Sequence, residues 1–161
     1  VDRTFKTVKL CDFGLAKKLP RRGVFYVRCG TAPYMSPEMV NDIGYAEKTD
    51  VWSCGATVYL LLCGDLPYVV PGSFDKEKTI EAIRSGSPQI PFARNPEYNF
   101  PPPSDCAIEL TKALLDRSPS TRCSAIQALQ LPFVSNAPAL ELEAPLSPVV
   151  KCARRKIRAF A

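Results

Sequence analysis

Residues 8–38 read VKLCDFGLAKKLPRRGVFYVRCGTAPYMSPE, and this stretch decides the fold. It opens on a short apolar alternation, Val8 and Leu10, and turns at Asp12-Phe13-Gly14. A basic segment follows, and the stretch closes on Gly30-Thr31 and Ser36-Pro37-Glu38. The pattern predicts a strand, an acid at its end, a flexible segment and a helix start, in that order. An aspartate just beyond a strand, with Phe13 to seat it and Gly14 to let the backbone turn, suits a group that holds a divalent ion against phosphates. Asp-Phe-Gly alone recurs by chance, and a plain turn after a strand would also explain it. The spacing adds the weight, because twenty-one residues lie between Gly14 and Ser36.

Downstream, Asp50-Val51-Trp52-Ser53-Cys54-Gly55 opens a nearly continuous apolar run to Cys63, with Gly64 after it. The run predicts a helix of fourteen residues, buried all round and stopped by glycine. Either as its cap or as an anchor, Asp50 is expected to be a buried, hydrogen-bonded carboxylate. Pro37 fits the first turn of a short helix capped by Ser36. Helical spacing over Phe74–Ser85, with Gly86 as the stop, predicts another helix. Six prolines among residues 87–103 exclude regular structure there. Ser104-Asp105 then starts an amphipathic helix through Leu110 and Leu115, and Ser120 or Thr121 is expected to cap a last one through Ile126 and Leu129.

A chain of 161 residues can bury a sizeable core, and 46% hydrophobic content is ordinary for a globular protein. No apolar run approaches the roughly 20 residues that span a bilayer, so no membrane span is expected. Seven cysteines without a Cys-x-x-Cys pair, and no histidine, argue against a zinc site or a disulfide framework. They imply reduced thiols and an intracellular, cytoplasmic setting. Cys29 lies in a basic neighbourhood beside Arg28, where a thiolate is expected to be favoured.

The net charge of +5 is uneven. Residues 1–148 carry sixteen basic and sixteen acidic side chains, while residues 149–161 hold Lys151, Arg154, Arg155, Lys156 and Arg158 and no acid. The balanced body gives no support to nucleic acid as a partner.

In this order the motifs resemble the C-terminal lobe of a eukaryotic Ser/Thr protein kinase. Asp12-Phe13-Gly14, Gly30-Thr31 with Tyr34, Ser36-Pro37-Glu38 in place of Ala-Pro-Glu, Asp50 to Gly55, and Asp116-Arg117-Ser118-Pro119-Ser120-Thr121-Arg122 carry the likeness. The resemblance implies a mainly α fold, with short strands around Asp-Phe-Gly followed by a helical bundle. It implies ATP and Mg2+ as cofactors and protein substrates as partners. Asp12, Phe13 and Gly14 would serve the cofactor, with Asp12 on the metal. Thr31 would position the base and the acceptor hydroxyl, and Gly30, Thr31, Tyr34, Met35 and Ser36 would line the substrate pocket. Asp50 would anchor the catalytic loop from below, and Glu38 would form a buried pair with Arg122, 84 positions away.

The Gly-rich loop, the ATP-pairing lysine and the catalytic loop with its base match nothing in these residues, so the chain is expected to be an inactive fragment of a longer kinase. A non-catalytic kinase-like binding module, or a pseudokinase, is the alternative. Residues 1–134 correspond to the partial kinase domain, 135–148 to a linker, and 149–161 to a basic amphipathic segment in which Arg155, Ile157 and Phe160 would be regulatory. Between Ala16 and Cys29 the only hydroxyl is on Tyr26, and there is no acid, so the usual ordering of this loop by a phosphate or a carboxylate of its own is missing. The order Asp50-Val51-Trp52-Ser53-Cys54-Gly55, Leu61-Leu62-Cys63-Gly64 and then a linker and basic helix looks most like calcium/calmodulin-type kinases, and especially the calcium-dependent protein kinases of plants and protists. That likeness implies calmodulin or an EF-hand domain as a regulator, although no EF-hand loop occurs here.

Overall fold

The apolar run from Val51 to Cys63 organises everything around it. In the computed structural model, which describes residues 9–21, 23–69, 75–92 and 102–136, it lies in helix α2, Lys48–Cys63. Trp52, Ala56, Tyr59, Leu60 and Cys63 recur at three- and four-residue intervals and are each at most 3% exposed. Gly55 on this helix is a point of close approach. A Cβ there would come within 2.8 Å of Leu114 Cβ and 2.9 Å of Leu115, so glycine is what lets helix α4, Asp105–Leu114, lie against α2.

A short 3-10 turn at Ala32–Tyr34 leads to helix α1, Pro37–Val40, with proline in the first turn as expected. Helix α3, Lys76–Ser85, packs on both, and Met35, Met39, Val40, Trp52, Tyr59, Ile80 and Ile83 form one core. A second cluster joins Val51 of α2 to Leu110 and Leu114 of α4. Cys123, Ala128, Leu131 and Val134 pack against it from helices α5, Ala125–Gln130, and α6, Pro132–Ser135, and their approaches. The described fold is therefore mainly helical, as expected. Gly64 and Gly86 end α2 and α3 at φ of 79° and 75°.

Several expectations differ from the structure. Residues 9–11 form no strand, and Leu10 is 86% exposed. A strand needs a neighbour to take its hydrogen bonds, and among the described residues none lies beside it; the only β pairing there is the isolated antiparallel bridge Phe25–Tyr45. Helix α2 is not buried all round, since Leu61 is 48% exposed. Helix α5 is capped by Ser124, not by Ser120 or Thr121. Ser124 Oγ accepts from Gln127 N–H while the Gln127 side chain accepts from Ser124 N–H, a reciprocal capping box. Ser118 to Arg122 are instead spent on a turn that delivers the Arg122 side chain inward, with Arg122 N–H bonded to Ser118 O at 2.8 Å. The expected start of α3 at Phe74 and all of residues 137–161 lie outside the described residues.

Candidate active site

Asp12 adopts a left-handed backbone, φ 64°, and its Oδ1 accepts from Gly14 N–H at 3.4 Å, a local turn of the kind Asp tolerates. The carboxylate is exposed. Mg2+ takes oxygen ligands, typically one or two carboxylates with water and substrate phosphate oxygens making up the rest. Asp12 fits one such place, and no cluster of three or more His, Cys, Asp or Glu side chains stands among the described residues to supply more. Phe13 does not seat it. The ring is 68% exposed, because no described side chain packs over it.

Beyond Asp12 the basic segment is fastened by groups outside itself. Phe25 and Tyr45 exchange two backbone hydrogen bonds of 2.9 Å, their rings lie 5.9 Å apart, and Tyr45 Oη donates to Val27 O at 2.6 Å. Arg28 meets Asp42 with a two-pronged contact, Nε to Oδ1 at 2.8 Å and Nη2 to Oδ2. The hydrogen bond between them holds the Asp42 carboxyl below its ordinary range and the Arg28 guanidinium above its own. The acid missing from the loop thus comes from the turn after α1. Asp42 is the only acid between Glu38 and Glu47, a signal that was present in the sequence. Tyr26, the lone hydroxyl of the loop, is 65% exposed.

Between this segment and the start of α2 opens a cleft of about 580 Å³, walled by Leu15, Leu19 and Val27 on one side and by Asp50 and Ser53 on the other. Gly30, Thr31, Tyr34 and Met35 line it as well. Gly30 takes φ 95°, which turns the chain so that Thr31 comes out exposed, and burial pushes the Tyr34 hydroxyl pKa up. Ser53 Oγ donates to Tyr34 O at 2.9 Å and so ties the segment to α2.

Two site expectations need correction. Ser36 is fully buried and does not line the cleft; its hydroxyl bonds Thr49 Oγ1 at 3.1 Å instead of capping α1. Asp50 is exposed, and no described residue hydrogen-bonds its carboxylate. Helix α2 starts at Lys48, which sets Asp50 within its first turn and against an open cleft where no described residue covers it.

Glu38 and Arg122 form the most enclosed ion pair among the described residues. Arg122 Nη1 and Nη2 donate to Glu38 Oε1 and Oε2 at 2.7 and 2.9 Å, with side-chain exposures of 0% and 4%. Thr49 Oγ1 also donates to Glu38 Oε1, and two further Arg122 N–H groups donate to Lys48 O and Asp116 O. The guanidinium lies 5.2 Å from the centroid of Trp52, whose own Nε1 has no hydrogen-bond partner. Burial is the largest single influence and by itself would raise the Glu38 carboxyl, but the hydrogen bond and charge of Arg122, with the hydrogen bonds from the Glu38 backbone and Ser36, together leave it below its ordinary value of 4.5. The pair links α1 to the turn before α5, and so ties the floor of the cleft to the last helices.

Comparison with known proteins agrees with this arrangement. Residues 1–134 match the protein kinase domain family. The chain is 37% identical over 136 residues to the serine/threonine-protein kinase DCLK3 of Homo sapiens, which covers 81% of this chain and 19% of that protein. It is 36% identical over 147 residues to DCLK1 of Rattus norvegicus, covering 88% of this chain and 31% of the relative. Serine/threonine-protein kinase 33 of Bos taurus is 36% identical over 124 residues, with 76% and 24% covered. The chain thus spans less than a third of the length of these relatives. The DCLK likeness points to a different branch from the calcium-dependent kinases that the motif order resembles. With its buried Glu38–Arg122 pair, its cleft-lining Gly30 and Thr31 and a family match from end to end of residues 1–134, the chain belongs to the protein kinase domain family.

Proposed function

We propose that this chain supplies the substrate-facing part of an ATP-dependent kinase that phosphorylates Ser or Thr of protein substrates. The observation that carries the reading is the convergence of Gly30, Thr31, Tyr34 and Asp50 on one open cleft beside the segment that bears Asp12. Asp12 holds Mg2+ in this reading, and the bound Mg-ATP supplies the phosphoryl group and the charge neutralisation that its transfer needs. Thr31 orients the acceptor hydroxyl, while Tyr34 and Met35 receive the substrate residue beside it. The exposed Asp50 carboxylate faces the place where a catalytic loop would seat. Reduced cysteines suit an intracellular, cytoplasmic protein, and the described cysteines are all free.

The test is phosphoryl transfer to a basic Ser/Thr peptide by the longer protein that contains this chain. Asp12→Ala is expected to abolish transfer and leave the fold intact; turnover that survives the substitution overturns the assignment of Asp12. The 161 residues alone are expected to give no transfer above a blank, because neither the phosphate-gripping groups nor the base is among them. A longer protein that binds protein partners and never transfers phosphate would establish the non-catalytic reading instead.

The regulatory part of the proposal rests on the sequence of residues 149–161, where five basic residues alternate with Ile157 and Phe160 at helical spacing. A peptide of these residues is expected to be largely unfolded in water, gain helix on calcium-loaded calmodulin and inhibit an active relative. Neither effect, together with unchanged regulation in the longer protein carrying Ile157→Asp and Phe160→Asp, would remove the regulatory role.

A further inference from the structure

We infer that Arg117, through Tyr68 and Trp52, is a positioning residue that holds the substrate-facing segment 30–38 from the side of helix α3. The name given to that segment rests on the proposed function; the geometry does not. Four side chains touch in series. The Arg122 guanidinium lies 5.2 Å from the Trp52 ring centroid, and the Trp52 ring stacks on Tyr68 at 6.1 Å with only 12° between planes. The Arg117 guanidinium lies 5.8 Å from the Tyr68 ring. An aromatic face carries partial negative charge, so the series cation, ring, ring, cation is attractive at both ends. One end is bonded to Glu38 of α1.

The other end returns to the same helix by a second route. Arg117 Nη2 donates to Arg84 O at 2.9 Å, at the end of α3, and Nη1 donates to Tyr68 Oη at 3.4 Å. Arg84 Nη2 in turn donates to Val40 O, the last residue of α1, at 3.3 Å. Glu38 and Val40 are thus held by Arg122 and Arg84, and the two routes meet at Arg117. This guanidinium has no ion pair among the described residues, so its bonds are spent on the stack and on the end of α3.

Two backbone features are arranged around it. Tyr68 is held at φ 59°, a left-handed conformation that a bulky residue keeps only where its surroundings fix it. Gly86, at φ 75°, leaves the space that the guanidinium fills, since a Cβ there would come 2.9 Å from Arg117 Cζ. The arrangement makes α1 responsive to whatever docks on or shifts α3, because moving the end of α3 pulls on Arg117 and so on both grips.

The test uses amide hydrogen exchange in the full chain, with Trp52, its only tryptophan, as a fluorescence reporter. The amides of Asn41 and Ile43 bond to Pro37 O and Glu38 O and report on α1, and those of α4 serve as reference. Arg117→Leu is expected to speed exchange at Asn41 and Ile43 about tenfold, change α4 less than twofold and alter Trp52 emission. Arg117→Lys keeps the charge and loses the planar fork, and is expected to act like Arg117→Leu. Gly86→Ala, which displaces Arg117 from the other side, is expected to reproduce the pattern. Acceleration shared equally by α1 and α4, or none at α1, overturns the inference. In the longer kinase, Arg117→Leu is expected to raise KM for peptide and leave KM for ATP unchanged. If that kinase transfers no phosphate, the functional reading fails while the exchange result still decides the coupling.

Discussion

Glu38 and Asp12 are both carboxylates at recognisable motifs, and their surroundings could hardly differ more. Glu38 is enclosed, bonded twice by Arg122 and once by Thr49, whereas Asp12 is exposed on a turn with one weak contact to its own backbone. The first is complete within this chain and contributes to its stability. The second makes only that local contact among the described residues. A motif therefore reports its role, and only the shell around it reports whether that role is met by the chain itself.

The sharpest way to break this contrast is to remove one half of the enclosed pair. Glu38→Ala or Arg122→Ala is expected to cost about 3 to 5 kcal/mol, because each strands a buried charge, and the double variant less than the sum of the two. Urea unfolding followed by Trp52 fluorescence measures all three. Additive losses below about 1 kcal/mol would mean the pair behaves as a surface contact.

Acid probes the same pair more gently. The Glu38 carboxyl pKa is lower in the folded chain than unfolded, so the unfolded chain takes up a proton first as the pH falls. The contribution of the pair is fully present above the ordinary value of 4.5 and is lost as the pH drops through the lowered folded value. Unfolding midpoints across that window should fall less steeply in the Glu38→Gln, Arg122→Leu double variant than in the parent.

Between the extremes stands Ser124, half-buried and capping α5. Ser124→Ala is expected to cost about 1 kcal/mol, visible as a lower urea midpoint with unchanged slope. At the small end, Asp12→Asn and Phe13→Ser should leave stability within about 0.5 kcal/mol, since neither side chain is buried. A larger loss from Phe13→Ser would show that the ring packs on something in solution, and would narrow the contrast with Glu38.

Much of this was legible in the chain. The helix after Asp50, its glycine stop, the proline-led α1 and the distant pairing of Glu38 with Arg122 all follow from local pattern or from family likeness. What escaped has a common physical cause. The strand before Asp12, the burial of Asp50 and the seat for Phe13 each need a surface that no described residue provides. Ser120 and Thr121 come first in the chain, but Gln127 three residues on marks Ser124 as one end of a capping box. Asp42 lies outside the basic loop that it serves, because a chain that doubles back can supply an acid from beyond the next helix.

The fastening of that loop also sets where it can be cut. Lys17, Lys18 and Arg21 precede the Phe25–Tyr45 bridge on exposed, irregular backbone, whereas Arg28 lies beyond the bridge with its head group engaged by Asp42. Trypsin cleaves where an extended chain can enter its groove, and irregular, exposed backbone offers that. A brief digestion should therefore shed the piece that carries Asp12 and spare the bridge with helices α1 and α2 beyond it, so that Asp12 and these helices come apart as two separate products.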